Sequence, residues 1–185
     1  GDVSGHGIGP AMLMAETRAY LRILTRNRND LSLILTRANT MVGEDVGEER
    51  FVTMLLAKLD PEKRTLVYAS AGHSPAFILG SDGAVKSELR RTGMPLGVMQ
   101  DAEYTVSKPL RLAKGDVLVL LTDGLEETTN PEGELFGVDR ILQAVHQNRQ
   151  SKAAKIVESV FETLKDFSGN AEQVDDLTMI VAKAE

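Results

Sequence analysis

Three aspartates stand where a chain can present a carboxylate at the end of a strand. Asp2 is followed by Val3-Ser4-Gly5-His6-Gly7-Ile8-Gly9-Pro10, a glycine-rich turn that carries a histidine. Asp123 follows the apolar run Val117 to Leu121 and precedes Gly124. Asp175, with Asp176 beside it, opens the last apolar segment. Taken singly, each aspartate reads as a turn or cap residue, places this residue favours. Taken together, they point to a hard divalent cation, because magnesium and manganese take oxygen ligands, only a few of them from protein. The chain has no cysteine and three histidines, a composition less suited to zinc.

The histidines divide by setting. His6 and His73 lie among small residues in loops, where an imidazole can give a proton, contact a phosphate, or hydrogen-bond a loop. For His6 both the catalytic and the structural readings stay open; His73 reads first as structural. His146 falls in a helical segment and is expected to be solvated. The sequence Gly5-His6-Gly7-Ile8-Gly9 has the look of a nucleotide loop, but a dinucleotide fold needs a parallel strand soon after the helix. Here a second helix follows, and no Gly-Lys-Ser/Thr sequence is present.

The elements that must position these residues follow from the apolar period. Pro10 to Arg26 predicts a helix with a broad apolar face of Met12, Leu13, Ala15, Ala19, Tyr20, Ile23 and Leu24. Asp30 caps a second helix, on which Leu31, Ile34, Leu35, Ala38, Met41 and Val42 form a stripe. Gly43 to Arg50 predicts an acidic surface loop. Phe51 to Asp60 and Arg64 to Ala71 predict a hairpin, followed by strands at Ala76 to Leu79 and Ala84 to Ser87. Thr92 to Val98 is a loop, Glu103 to Lys108 an edge strand, and Val117 to Leu121 a buried strand. Thr128 to Gly137 is a polar loop. Helices at Val138 to Asn148 and Lys152 to Phe167 precede a last strand, Leu177 to Ala182, opened by Asp175-Asp176. Helix pairs bracketing antiparallel hairpins predict an α+β fold, a four-layer α-β-β-α sandwich of two antiparallel sheets flanked by helix pairs. A single domain over residues 1–185 is expected.

Composition bounds the function. The 185 residues are 42% apolar and 26% charged with net charge -6, so nonspecific nucleic-acid binding is not the main activity. The absence of cysteine excludes disulfides and a cysteine-phosphate mechanism and agrees with a cytoplasmic setting. No apolar run is long enough to cross a membrane.

Six segments, in order, carry a resemblance: DVSGHG (2–7), SAGHSPAF (70–77), TGMPLGV (92–98), GDVLVLLTDGLEET (115–128), GELFG (133–137) and DDLTMIV (175–181). Together they resemble the metal-dependent phosphatases of the protein phosphatase 2C (PPM) family, in its bacterial SpoIIE/RsbU-type branch. The resemblance implies the same sandwich fold and a centre of two manganese or magnesium ions. Asp2 matches the bridging carboxylate, Val3 offers its backbone carbonyl, and Asp123 and Asp175 match further ligands, with Asp176 next to them. Such a centre generates the nucleophile from water and needs no protein nucleophile. His6 or a metal-bound water is the candidate proton donor, although Ser4 occupies the place where animal-type members carry their histidine. Gly72, His73 and Gly124 are expected near the substrate.

The implied substrate is a phosphoserine or phosphothreonine on an anti-sigma factor antagonist of the STAS type. An upstream sensor or receiver domain is the implied regulator, acting through the first helix pair. The family carries a further metal-associated acid on a strand before DVSGHG, and this chain opens at Gly1. The expectation is therefore a fragment lacking N-terminal strands, weak in metal binding and activity, with an exposed sheet edge that could form a homodimer. The competing reading is a phosphatase-like adaptor that holds a partner without turnover. Neither reading involves nucleic acid or membrane contact by this domain.

Overall fold

In a computed structural model, which describes residues 1–27, 29–46 and 50–185, the chain runs β1 (Asp2–Val3), α1 (Ile8–Asn27), α2 (Leu31–Asp45), β2 (Val52–Asp60), β3 (Thr65–Ala71), β4 (Ala76–Leu79), β5 (Val85–Leu89), β6 (Leu110–Arg111), β7 (Val117–Leu121), α3 (Asp123–Glu127), α4 (Gly137–Asn148), α5 (Ala153–Ser168) and β8 (Met179–Lys183). It divides into two compact units. The first comprises Gly1–His73 and Arg90–Arg111, the second Ser74–Leu89 and Leu112–Glu185.

The first unit holds an antiparallel sheet in the order β1-β2-β3-β6 and the helices α1 and α2. Asp30 caps α2 as expected, its carboxylate accepting from Ser32 N at 3.0 Å and Leu33 N at 3.3 Å. The α2 stripe of Leu31, Ile34, Leu35, Ala38 and Val42 packs with Val52, Ala69, Ala71 and Leu96 into one core. On α1 the expected broad face is narrower. Leu13 and Thr17 are buried, while Met12 and Ile23 are each 59% exposed and Ala15 and Ala19 are also on the surface.

Helix α2 continues through Gly43 to Asp45, where a loop was expected. Its last turn has a tertiary partner that composition does not show: the Tyr20 hydroxyl of α1 donates to the Asp45 carboxylate. Gly47 to Glu49 of the expected acidic loop lie outside the described residues. The expected edge strand at Glu103 to Lys108 does not form; β6 takes the edge instead, pairing with Thr65 and Leu66. Ser107 explains the interruption. Its N–H donates to Tyr68 O at 2.8 Å, but its side-chain Oγ, rather than a backbone carbonyl, accepts the Tyr68 N–H at 3.0 Å.

The second unit holds an antiparallel sheet in the order β5-β4-β7-β8 and the helices α3, α4 and α5. VLVLL forms β7 as predicted, an interior strand between β4 and β8. Val117, Val119 and Leu121 pack with Ile141, Val145, Ile156 and Val160 of α4 and α5. Strand β5 is shifted from the expected Ala84–Ser87, because Ala84 still belongs to the turn, donating its N–H to the Asp82 carboxylate at 3.0 Å. His146 is exposed as expected, with its ring over Gly83, whose φ of 88° lies in the left-handed region. The two antiparallel sheets and their helix pairs make an α+β protein, as the apolar periods predict.

Candidate metal centre

Strand β7 delivers Asp123. The strand ends at Leu121, Thr122 turns the chain, and Asp123 opens α3. One carboxylate oxygen of Asp123, Oδ1, is buried with no hydrogen-bond partner among the described residues. A carboxylate oxygen held from water without a donor is costly, and a bound cation relieves that cost. An orphaned carboxylate oxygen fits a hard cation such as manganese or magnesium.

The Asp175–Asp176 segment lies against Gly124, the residue after Asp123. It is not the start of β8, as expected from sequence, because that strand begins at Met179. Thr122 occupies the bonds that would have extended the ladder. Its hydroxyl donates to Asp176 O at 3.2 Å and accepts the Thr178 N–H at 3.1 Å. A Cβ on Gly124 would overlap the Asp176 carbonyl oxygen and lie 3.4 Å from Asp175 Cβ, so glycine lets the two segments meet. Both aspartates are exposed, and Asp175 Oδ1 accepts the N–H of Asp176 at 2.7 Å. On the far side, the Thr128 hydroxyl donates to Gly124 O at 2.7 Å, and Phe136 N–H donates to Thr128 O at 2.7 Å. Phe136 is buried in the α4–α5 core, which anchors the turn after Asp123.

Asp2 belongs to the first unit, where it pairs with Thr53 as Val3 pairs with Val52. Ser4 fastens this edge twice: its N–H donates to Phe51 O at 3.0 Å and its Oγ accepts Phe51 N–H at 2.9 Å. The turn after it uses φ of 82° at Gly5 and 96° at Gly7, so both glycines are needed for backbone shape. His6 is exposed beside a cleft of about 240 Å³ lined by Ser4, Gly5, Pro10 and Arg50.

His73 is buried, with Nδ1 2.9 Å from the Thr53 hydroxyl, which in turn lies 3.4 Å from Asp2 O. The structural reading of His73 accounts for this placement. Gly72 likewise has a packing reason: its φ is 67°, and a Cβ there would come within 2.7 Å of Pro95 Cδ.

The structure thus joins Asp123, Gly124, Asp175 and Asp176 in one unit and Asp2, Val3, His6, Gly72 and His73 in the other. Among the described residues, no group of three or more His, Cys, Asp or Glu side chains forms a ready-made metal cluster. A hard ion that keeps several waters takes as few as one or two protein carboxylates.

Sequence reasoning missed Thr122 and Asn39. Asn39 is wholly buried on α2, donating to Met99 O at 2.8 Å and Gln100 O at 3.0 Å and accepting Gly97 N–H at 2.9 Å. Its signal was available, since it lies four residues after Leu35 and three before Val42, on the apolar stripe.

Comparison with known proteins bears on this site. The family model described as Stage II sporulation protein E (SpoIIE) matches residues 1–185. The phosphoserine phosphatase RsbU of Bacillus subtilis is 30% identical over 98% of this chain and 53% of its own length. The phosphoserine phosphatase RsbP of the same organism is 27% identical over 69% of this chain and 32% of its own. The chain therefore spans about half of the first relative and about a third of the second.

Among solved structures, the SiaA-PP2C domain of Pseudomonas aeruginosa superposes with a TM-score of 0.83 at 22% identity, over 99% of this chain and 72% of that one. The catalytic domain of the serine threonine protein phosphatase PstP, solved in complex with 2 manganese ions, gives 0.66 at 19% identity, over 98% and 85%. These likenesses show a PP2C fold, and the match over the whole length shows that the chain belongs to the SpoIIE family.

Proposed function

We propose that this chain is a metal-dependent phosphatase domain that hydrolyses phosphoserine or phosphothreonine. The observation that carries this reading is the buried, unpartnered Oδ1 of Asp123, with the Asp175–Asp176 segment packed on the neighbouring Gly124. Asp123 and Asp175 would hold manganese or magnesium, with Asp176 next in line. Asp2 and the Val3 carbonyl enter the ligand set on the family resemblance, which also supplies the count of two ions. When bound, such ions supply an activated water and offset charge on the phosphoryl oxygens.

The chain's own residues have the remaining tasks. Hydrolysis forms a bond from water oxygen to phosphorus, breaks the ester bond, and returns a proton to the departing serine or threonine oxygen. His6 is the proposed donor of that proton; its exposure beside Arg50 supports the role, because a guanidinium is a good phosphate contact. Gly72, His73 and Gly124 lie near the substrate in this reading; the glycines keep the backbone close-packed around these segments, and His73 hydrogen-bonds Thr53.

The finer reading follows the relatives named phosphoserine phosphatase. The substrate is a phosphorylated anti-sigma factor antagonist in the cytoplasm. An upstream sensor or receiver domain governs the activity, and the open edge of β1 is a place for a second copy to pair. Among the described residues, no helix is long and apolar enough to cross a membrane.

The test is hydrolysis of p-nitrophenyl phosphate and of a phosphoserine peptide, with and without manganese, by this chain and its Asp123→Asn variant. Manganese-dependent turnover, weak in this chain as the resemblance implies, is expected to be lost in the variant. Turnover without metal, or turnover unaffected by the substitution, rejects the mechanism. Tight binding of the phosphopeptide with no turnover points to the adaptor.

A further inference from the structure

Beyond the Leu121–Met179 pair, the ladder between β7 and β8 is continued by a single backbone bond, Thr122 N–H to Thr178 O at 3.1 Å. Further out, a side chain holds the backbone. The Thr122 hydroxyl donates to Asp176 O and accepts Thr178 N–H, at 3.2 and 3.1 Å. Thr122 is only 6% exposed, so its hydroxyl is sheltered although Asp176 and Thr178 are on the surface. Two residues later, Gly124 leaves the space that the Asp176 carbonyl occupies. The residues on both sides of Asp123 therefore grip the same stretch of backbone. Asp175 and Asp176 are exposed and lie ahead of the strand, so this grip supplies order that burial does not.

We infer that Thr122 is a positioning residue whose hydroxyl holds the Asp175–Asp176 segment at the spacing from Asp123 that a shared divalent cation requires, with Gly124 as the gap that admits it. The inference rests on the phosphatase reading above, because it takes Asp123 and Asp175 as ligands. Groups that orient metal ligands from behind typically contribute about 10- to 100-fold in metal affinity. Valine copies the shape of threonine but has no hydroxyl, leaving the Thr178 N–H without an acceptor and the Asp176 carbonyl without a donor. Serine keeps the hydroxyl.

Two measurements on the 185-residue chain test this. Manganese is titrated calorimetrically, and exchange of the Thr178 amide is followed by NMR without metal. Thr122→Val is expected to weaken manganese about 10- to 100-fold and to speed that exchange, with Thr122→Ser restoring both. Gly124→Ala keeps the hydroxyl but displaces the Asp176 carbonyl, and is expected to weaken manganese as well. A wild-type chain that binds no manganese overturns the phosphatase reading and this inference with it. Wild-type binding with unchanged affinity in Thr122→Val overturns this inference alone, even if the melting temperature falls, because a purely structural threonine would lower stability and leave affinity intact. Should Thr122→Val fail to fold, unchanged affinity in Gly124→Ala overturns the inference in its place.

Discussion

The two units hold their candidate carboxylates by different means. In the second unit Asp123 follows β7, an interior strand, and its neighbours Thr122 and Gly124 fix the Asp175 segment against it. In the first unit Asp2 sits on a two-residue strand at the sheet edge, secured by side-chain hooks from Ser4 and Thr53. An interior strand orders the residues just beyond it through burial, whereas an edge strand must be ordered residue by residue. Asp123 thus carries an orphaned oxygen on an interior strand's end, while Asp2 sits on an edge strand fastened by side chains.

Asp123→Asn and Asp2→Asn should both lower manganese-dependent turnover by about 100-fold or more, the upper range for disturbing a metal site. Their stabilities should separate. Without metal, Asp123→Asn removes the carboxylate whose Oδ1 is buried without a donor and should raise the melting temperature by about 2–4 °C, the shift about 1 kcal/mol gives in a domain of this size. Asp2→Asn should not raise it in the same scan. Equal shifts would erase the proposed contrast between the units.

Next in size is Asn39→Leu. It removes the buried partner of the Gly97 N–H and of the Met99 and Gln100 carbonyls, and urea unfolding should show a loss of about 1–3 kcal/mol. Ser4→Ala removes the acceptor for Phe51 N–H at an exposed edge and should cost about 1 kcal/mol. If its effect matched that of Asn39→Leu, the edge would be held as firmly as the core.

The smallest effect is confined to high pH. Burial pushes the Tyr104 hydroxyl, in the first unit, up to about 12 from an ordinary value of 10.0. A raised folded-state value means the unfolded chain loses its proton first. The stability that Tyr104 contributes is therefore complete below pH 10 and is lost as pH rises toward 12. Urea titrations across that window should show a decline that Tyr104→Phe reduces.

The sequence was most legible where one strong period governed a segment. VLVLL could only be a buried strand, the stripe on α2 could only face a core, and Asp30 stood where a cap was needed. Errors arose where one long-range side chain overrode local preference. The Tyr20–Asp45 bond extends α2, Ser107 interrupts an edge strand, and Thr122 holds Asp175 and Asp176 ahead of β8. The same holds for the site. The carboxylates were visible as aspartates at strand ends, but the residues that fix their spacing are a threonine and a glycine that carry no charge and announce nothing by type.

The central claim, that Asp123 is a metal ligand, is tested most directly by titrating manganese into the wild-type chain and into Asp123→Asn and following the heat of binding. Saturable binding by the wild type, weakened at least about 10-fold by the substitution, is the predicted result. Identical isotherms for the two proteins would contradict it.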